Sequence, residues 1–288
     1  MTIKDALNQA EERLREIPDP RLDAEYLLAE ATHLSRLSLL MDKMRELTQA
    51  EEAAFDALVS RREKREPLQY ILGNQPFMGF SFKTDSRALI PRFDTEILCE
   101  EALSHLSGRM RVLDLCTGTG ALAIAIKKLR PGCVVTATDL SGDALSLARE
   151  NAENLQADIR FLQGDLFAPL DGEIFDLIVS NPPYIPDTLR GTLQKEVQKE
   201  PDMALFAGTD GLDFYRRIAN EAPRHLVPGG FLCLEIGDDQ GESVPALLRE
   251  NFQQVRMIRD LNGLPRVVVG QIAATKDCGA PPHTPAGE

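Results

Sequence analysis

The segment FDLIVSNPPYIP, residues 175–186, joins an apolar strand to residues that could hold a planar amine. Asn181 offers a side-chain carbonyl, and Pro182 offers a backbone carbonyl without an N–H group of its own. These two acceptors could bind both hydrogens of an –NH₂ group, while the ring of Tyr184 stacks on its plane. Pro183 should stiffen the turn. We therefore expect this segment to present the nitrogen lone pair of an amide or aromatic amine to an electrophile.

A second segment, VLDLCTGTGALA over residues 112–123, has the pattern of a strand, a glycine-rich turn and the start of a helix. Gly118 and Gly120 would let the backbone approach a ligand closely, beside the N–H groups of the helix N-terminus. Asp139 ends the next predicted strand, 19 residues after Gly120. A carboxylate at that place can accept hydrogen bonds from ribose hydroxyls. The ligand is therefore predicted to contain a nucleoside.

The glycines alone do not decide which nucleoside binds, because residues 118–123 also fit the dinucleotide pattern G-x-G-x-x-A. Two further carboxylates favour a cationic ligand. Asp114 precedes the turn, where a pyrophosphate would gain nothing from a carboxylate, and Asp165 ends the following strand. Three carboxylates at neighbouring strand ends suit a sulfonium nucleoside. Acidic residues that only cap helices would give the same pattern.

Strand and helix patterns alternate from Arg111 onward and predict an α/β fold with a mainly parallel, Rossmann-like sheet covered on both faces. The last two strands, QVRMIRD and RVVVGQI, are joined by a loop too short for a crossover helix. We expect this C-terminal pair to be antiparallel. The helix before residues 228–230, Pro-Gly-Gly, is expected to stop at a turn formed by these residues.

The first 70 residues have helical periodicity and predict a small helical bundle. One helix should begin at Thr48, where Glu51 completes a capping box. Aromatic alternation over residues 76–90 predicts a connecting β-hairpin, and a helix should follow over residues 95–106.

The composition restricts the function classes. The chain has 288 residues and a net charge of −13, so it lacks the basic footprint usual for proteins that bind bare DNA or RNA. Apolar runs of membrane-span length are missing and the first residues are charged, so we expect a cytoplasmic protein without membrane contact. The five cysteines form no CxxC pair and the four histidines are scattered, so we expect neither a metal site nor a disulfide framework.

A basic cluster near a predicted helix C-terminus is a local exception to the acidic balance. It could be a solvated face that complements the helix dipole. It could also contact an acidic or nucleic-acid-bearing partner. The cluster consists of Arg61, Arg62, Lys64 and Arg65.

Three stretches resemble a known family: PLQYILG at residues 67–73, ALIPRFDTE at residues 88–96, and NPPYIP at residues 181–186. They resemble the protein-(glutamine) methyltransferases, a branch of the class I S-adenosylmethionine-dependent methyltransferases, and within that branch the enzymes that act on release factors. The resemblance covers nearly the whole chain. It implies S-adenosylmethionine as the cofactor and the glutamine amide nitrogen in the GGQ motif of class I peptide chain release factors as the methyl acceptor. It also implies that the N-terminal helical domain recognises the substrate protein.

The resemblance assigns roles to individual residues. Asn181, Pro182 and Tyr184 would be catalytic, and together with Pro183 they would bind the substrate. The cofactor would be bound by Asp114, Cys116, Thr117, Gly118, Thr119, Gly120, Asp139, Asp165, Leu166 and Asn181.

The sequence departs from the family pattern at a few positions. Cys116 stands where a glycine is usual, Phe93 and Asp94 stand where proline and glutamate are usual, and Leu166 stands where some relatives have an aromatic residue. Because cysteine is small, we expect the cofactor loop to survive. Leu166 would pack on adenine without stacking, which should weaken cofactor binding modestly.

The expected organisation has four parts. Residues 1–75 would be the substrate-recognition domain, residues 76–93 a β-hairpin linker, residues 94–273 the methyltransferase domain and residues 274–288 a flexible tail. Four alternatives stay open: a ribosomal-protein glutamine methyltransferase, a DNA or RNA adenine methyltransferase, a dinucleotide-dependent oxidoreductase, and a binding protein without catalysis. The adenine alternative has the same planar –NH₂ acceptor but requires base flipping, and the acidic charge disfavours it.

Overall fold

The computed structural model of the protein describes residues 1–274. The expected tail at 274–288 therefore lies, except for its first residue, outside the described part of the chain. The N-terminal region is helical, as predicted. Its helices are α1 (Ile3–Arg13), α2 (Pro20–Thr32), α3 (Arg36–Met41), α4 (Gln49–Glu63) and α5 (Leu68–Leu72).

The capping box predicted at the start of α4 is confirmed. The Thr48 hydroxyl accepts the Glu51 N–H at 3.3 Å, and the Glu51 carboxylate accepts the Thr48 N–H at 2.8 Å. Apolar side chains of α1, α2 and α4 pack into a core of their own. Thus the bundle buries its apolar faces internally, with Leu7, Leu27 and Val59 fully enclosed.

The predicted hairpin is present, but it lies slightly earlier in the chain. Its strands are β1 (Asn74–Phe77) and β2 (Phe80–Lys83). Met78 and Gly79 form the turn with φ of 48° and 79°, so the chain reverses in two residues. The stretch that follows has no regular structure until α6 (Asp94–Ser104), the helix expected near residue 95.

Within residues 1–274, seven strands form one sheet in the order β5-β4-β3-β6-β7-β9-β8. The pairs from β5 to β7 are parallel, whereas β9 is antiparallel to both β7 and β8. Both the mainly parallel sheet and the antiparallel C-terminal pair are therefore as predicted. The strands are β3 (Arg111–Leu115), β4 (Val134–Asp139), β5 (Ile159–Gln163), β6 (Phe175–Ser180), β7 (Leu226–Glu235), β8 (Gln253–Arg259) and β9 (Pro265–Gln271).

Helices cover both faces of this sheet and enclose two apolar cores. Because β3, β4, β5 and β6 pair in parallel, their carboxyl ends meet at one edge of the sheet. The helices are α7 (Ala121–Leu129), α8 (Gly142–Asn154), α9 (Asp213–Glu221) and α10 (Ser243–Leu248), together with α6. No helix in the described chain is long and apolar enough to cross a membrane.

The turn predicted at residues 228–230 lies within a strand rather than between a helix and a strand. The helix ends at Glu221, a 3₁₀ segment follows, and β7 starts at Leu226 and continues through Pro228. The pairing of β6 with β7 is irregular there, because Phe175 pairs with Leu226 and Leu177 pairs with Phe231, and Gly229 has a φ of 80°.

The basic cluster at residues 61–65 is largely paired within the molecule. Arg62 is buried, and its guanidinium contacts the Asp23 carboxylate at 2.7 Å and the Glu196 carboxylate at 2.9 Å. Arg65 also contacts Glu196, at 3.3 Å. Arg62 therefore lies neither on a solvated helix face nor at a contact for a partner. Its ion pairs connect the bundle to the segment that follows β6.

Candidate active site

A cavity of about 290 Å³ opens at the carboxyl edge of the sheet. Its walls come from the turn after β3, the end of β4, the turn after β5, the end of β6 and the chain that follows β6. The predicted site residues among its lining are Cys116, Gly118, Asp139, Asp165, Leu166, Asn181 and Pro183.

Asp114 lies beneath the glycine-rich turn rather than on the cavity wall. It is fully buried, and its Oδ2 accepts hydrogen bonds from the Thr117 hydroxyl at 2.6 Å and the Ala123 N–H at 3.2 Å. Burial raises the pKa of Asp114 to about 7. Asp114 therefore organises the turn and the start of α7 from below.

The turn itself needs unusual backbone conformations. Gly120 has a φ of 81°, and a Cβ there would lie 3.0 Å from the Ile124 side chain and 3.2 Å from that of Ala148. Cys116 has a φ of 57°, which explains why glycine is usual at its position. The loop survives this substitution, as expected, with the cysteine held in the left-handed region.

Asp139 closes the turn from the side of β4. Its carboxylate accepts the Gly118 N–H at 2.9 Å and the Ser141 N–H at 2.9 Å. Burial raises the pKa of Asp139, and the N–H donors oppose that rise. Because each oxygen retains a lone pair, Asp139 can still accept ligand hydroxyls at the cavity wall.

The N–H groups of the turn are mostly used within the protein. Thr117 donates to the Thr138 carbonyl at 3.0 Å, and Gly120 donates to the Thr117 carbonyl at 2.9 Å, while Gly118 and Ala123 bind carboxylates. Pyrophosphate binding at a glycine turn depends on free N–H donors. The N–H groups of these four residues are therefore not available to a pyrophosphate. Thr119 contributes its carbonyl, which accepts the Asn151 side-chain amide.

The third acidic residue is placed differently from its expected role. Asp165 borders the cavity, but its half-exposed carboxylate pairs with Arg217 at 2.7 Å. The neighbouring Leu166 is buried with a φ of 49° and supplies an apolar wall. Asp114, Asp139 and Asp165 thus surround the turn without all three facing the cavity.

Asn181 follows β6 directly and borders the cavity. Its side-chain nitrogen donates to the Thr95 hydroxyl at 3.1 Å, which leaves the side-chain carbonyl free to accept. Pro182 is buried behind it, and Pro183 continues the cavity wall. Of the two predicted acceptors, Asn181 lies at the cavity, whereas Pro182 is not among the residues that line it.

Tyr184 packs against the apolar core under β7, and burial raises the pKa of its hydroxyl. Its backbone carbonyl accepts the Gln240 side-chain amide at 3.0 Å. The chain then pairs with itself, because Ile185 donates to the Leu205 carbonyl at 2.9 Å. Residues 187–204 consequently form a loop that is closed at its base. We call this the post-β6 loop.

Sequence reasoning missed the post-β6 loop as part of the cavity. Pro201, Met203 and Ala204 line the cavity, and Glu200 fixes their approach. The Glu200 carboxylate is buried, accepts the Ile90 N–H at 3.0 Å and pairs with Arg92. The signal available in the sequence was an acidic residue directly before a proline.

Two other residues were missed, Thr95 beside Asn181 and Glu235 at the end of β7. Thr95 lies in the ALIPRFDTE stretch, and Glu235 is a lone acid in the apolar strand segment FLCLEIG. Thr95 gains its partner Asn181 only in the three-dimensional arrangement, whereas the buried Oε2 atom of Glu235 has no hydrogen-bond partner among the described residues. Among residues 1–274, no group of three His, Cys, Asp or Glu side chains could hold a metal ion.

The fold and the position of the cavity define a methyltransferase. A crystal structure of a methyltransferase from Pyrococcus furiosus shares the fold, with a TM-score of 0.53 at 21% identity over 68% of this chain and 90% of that chain. Residues 91–200 match the family model of the methyltransferase small domain, and residues 5–73 match that of the PrmC N-terminal domain.

Two curated relatives are similar over nearly their whole length. The release factor glutamine methyltransferase of Geobacter sulfurreducens is 44% identical over 275 residues, covering 94% of this chain and 97% of the relative. That of Deinococcus radiodurans is 44% identical over 273 residues, covering 93% of this chain and 98% of the relative. The chain belongs to the release factor glutamine methyltransferase family.

Proposed function

We propose that the protein transfers a methyl group from S-adenosylmethionine to the side-chain amide nitrogen of the glutamine in the GGQ motif of class I peptide chain release factors. The observation that carries this proposal is the orientation of Asn181. Its nitrogen is held by Thr95, so its carbonyl is left to accept a hydrogen from an amide in the cavity. The names of the relatives supply the identity of the substrate protein.

The cavity suits S-adenosylmethionine. Asp139 offers a carboxylate to the ribose hydroxyls, and Leu140, Leu166 and Phe214 offer apolar surface to the base. A Cβ at Gly118 would have no protein atom within 4 Å, so the turn leaves open space beside these walls. When bound, the cofactor supplies an electrophilic methyl group on a sulfonium centre.

The roles of the chain's own residues follow from their chemistry. The Asn181 side-chain carbonyl and the Pro182 backbone carbonyl accept both hydrogens of the substrate –NH₂ group. This draws electron density back toward a nitrogen whose lone pair is otherwise shared with its carbonyl. Support of the amide plane by Tyr184 stays a proposal, because its side chain packs against the apolar core and does not line the cavity. Positioning of this kind can lower a barrier by roughly 7–11 kcal/mol.

The reaction needs no dedicated base. After the N–CH₃ bond forms and the S–CH₃ bond breaks, the nitrogen is cationic and loses its proton to water. No histidine of the described chain lines the cavity. Asp114 is separated from the cavity by the glycine turn and serves to hold that turn.

We assign residues 1–75 to recognition of the release factor, residues 76–93 to the linker and residues 94–273 to catalysis. The bundle has its own core, which supports this division. Because the substrate is a translation protein, we place the enzyme in the cytoplasm. The net charge of −13 supports a protein rather than a nucleic acid as the substrate.

The test is to incubate the protein with methyl-labelled S-adenosylmethionine and one acceptor at a time. Release factor should become labelled, and a release factor with alanine in place of the GGQ glutamine should not. Ribosomes and DNA serve as the competing acceptors. Label on a ribosomal protein or on DNA, with none on release factor, would refute the proposal.

A further inference from the structure

The post-β6 loop contributes to the cavity wall with little apolar support of its own. Within residues 187–204, Glu200 is the one buried residue, and its side chain is 1% exposed. Met203 lines the cavity and is nevertheless 50% exposed. None of the apolar side chains in this range belongs to a core that the described residues form. Because few buried apolar contacts leave a segment free to open, polar contacts must hold this loop in place.

Glu200 supplies such contacts with both oxygens of its carboxylate. Oε2 accepts the Ile90 N–H at 3.0 Å, and Oε1 pairs with the Arg92 guanidinium. The chain directly after Glu200 lines the cavity at residues 201 and 203–204, and the chain directly before Ile90 lines it at residues 87–89. Glu200 therefore joins two stretches of the cavity wall that lie 110 residues apart in the chain.

The stretch that Glu200 contacts is itself fixed in position. Ala88 packs with Ala144 and Leu147 of α8, and its carbonyl accepts the Tyr70 hydroxyl of α5 at 2.8 Å. Ala144 also lines the cavity. The chain before Ile90 is thus held both by the sheet domain and by the bundle, and Glu200 anchors the loop to it.

We propose that Glu200 and Arg92 are positioning residues that hold the post-β6 loop in place as a wall of the cofactor cavity. This inference rests on the proposed function in one respect, the binding of S-adenosylmethionine in this cavity, and it deepens that function. Removal of either partner of a buried ion pair leaves the other without compensation. The loop would then retain its base at Ile185 and the pairs of Glu196. A cofactor that needs the loop in place binds more weakly in proportion to the fraction of molecules that keep it there.

The experiment measures the affinity for S-adenosylhomocysteine by calorimetry in Glu200→Gln, in Arg92→Met and in the double variant. Glutamine keeps an acceptor for the Ile90 N–H but has no charge for Arg92. Each single variant should bind about 10-fold more weakly, as expected when about a tenth of the molecules keep the loop in place. The double variant should also lose about 10-fold rather than about 100-fold, because both substitutions remove the same ion pair.

Asp202→Asn is the matched control. Asp202 lies two residues after Glu200 and also pairs with an arginine, but its partner Arg190 belongs to the same loop and both side chains are exposed. The affinity of this variant should stay within about 2-fold of wild type. Wild-type affinity in Glu200→Gln and Arg92→Met would overturn the inference. An equal loss in Asp202→Asn, or losses that multiply in the double variant, would overturn it as well.

A second readout needs neither cofactor nor acceptor. Hydrogen exchange measured by mass spectrometry should be about 10-fold faster over residues 187–204 in Glu200→Gln than in wild type, while β3 and β4 keep their wild-type rates. Unchanged exchange in the loop, or equal acceleration in the strands, would overturn the inference whichever acceptor the enzyme methylates. If affinity and exchange change as expected while release factor is not methylated, the inference stands and the proposed function alone is refuted.

Discussion

Arg62 of the N-terminal bundle and Glu196 of the post-β6 loop form an ion pair, with 2.9 Å between Nη1 and Oε1, although 134 residues separate them in the chain. Arg62 also contacts Asp23 of α2 at 2.7 Å. The same loop carries Met203, which lines the cavity. The bundle is thereby connected to the cavity wall by a buried charge.

Replacement of Arg62 by alanine should destabilise the protein by about 3 kcal/mol, because it leaves the carboxylates of Asp23 and Glu196 without their cation. Affinity for S-adenosylhomocysteine should fall as well, since the post-β6 loop loses one of its anchors. Urea unfolding and calorimetry measure the two effects. Arg61→Ala is the control, because its pair with Glu66 is partly exposed and should contribute less than about 1 kcal/mol. Equal losses in both variants would contradict the interpretation.

The sequence was informative about the site because the carboxyl ends of parallel strands meet at one edge. Asp139 and Asn181 each end a strand, and the structure brings both to one cavity. The alternating pattern likewise predicted the sheet and its antiparallel pair, since buried strands and amphipathic helices differ in period.

The sequence could not supply contacts between distant segments. Arg62 lies near a helix C-terminus, where a basic residue is normally solvated, and nothing local indicates its partner. Pro228 and Gly229 are residue types typical of turns, yet they lie within β7, where the pairing with β6 is irregular. Thr95 is a polar residue in an ordinary local pattern, and only its hydrogen bond with Asn181 shows a role.

Asn181→Ala should abolish methyl transfer and leave cofactor affinity within about 2-fold of wild type, because the cofactor's nucleoside would be bound by Asp139 and the turn. Single-turnover assays with release factor and calorimetry with S-adenosylhomocysteine measure the two properties side by side. An active Asn181→Ala enzyme would refute the assignment of this residue to the acceptor amide.

Asp139→Ala should weaken cofactor binding by about 1–3 kcal/mol, the scale of hydrogen bonds to a charged acceptor. The variant also deprives the Gly118 and Ser141 N–H groups of their acceptor, so the turn should loosen. Asp139→Asn keeps one carbonyl oxygen and should lose less. Calorimetry with S-adenosylhomocysteine measures the affinity. An unchanged affinity in both variants would show that the ribose does not bind at Asp139.

Stability should depend on pH through Asp114. Burial raises the folded pKa of Asp114 to about 7 from its ordinary value of 3.8, so between these values the folded state binds more protons than the unfolded state. Stability contributed by the neutral form is thus lost as pH rises, by up to about 1.4 kcal/mol per pH unit. Asp114→Asn retains an acceptor for Thr117 and Ala123 and should flatten the urea-derived stability between pH 5.5 and 7.

The control for this measurement is Glu51→Gln. The Arg45 guanidinium and the Thr48 N–H lower the pKa of Glu51 to about 2, so its titration lies below the measured interval. This variant should leave the slope unchanged. If the Asp114→Asn curve runs parallel to that of wild type, Asp114 is ionised in the folded protein at pH 5.5.

Recognition of an intact release factor should depend on apolar side chains that the bundle leaves exposed. Leu37 and Met41 of α3 are 69% and 80% exposed, whereas the arginines first considered for this role are mostly paired within the protein. Leu37→Ser with Met41→Ser should raise KM for release factor about 10-fold at unchanged kcat, because a few apolar anchors carry most of an interface's energy. A short peptide that contains the GGQ sequence cannot reach the bundle, so its KM should not change. Leu129→Ser, at the end of α7 away from the cavity, is the control. An unchanged KM for intact release factor would show that α3 is not part of the recognition surface.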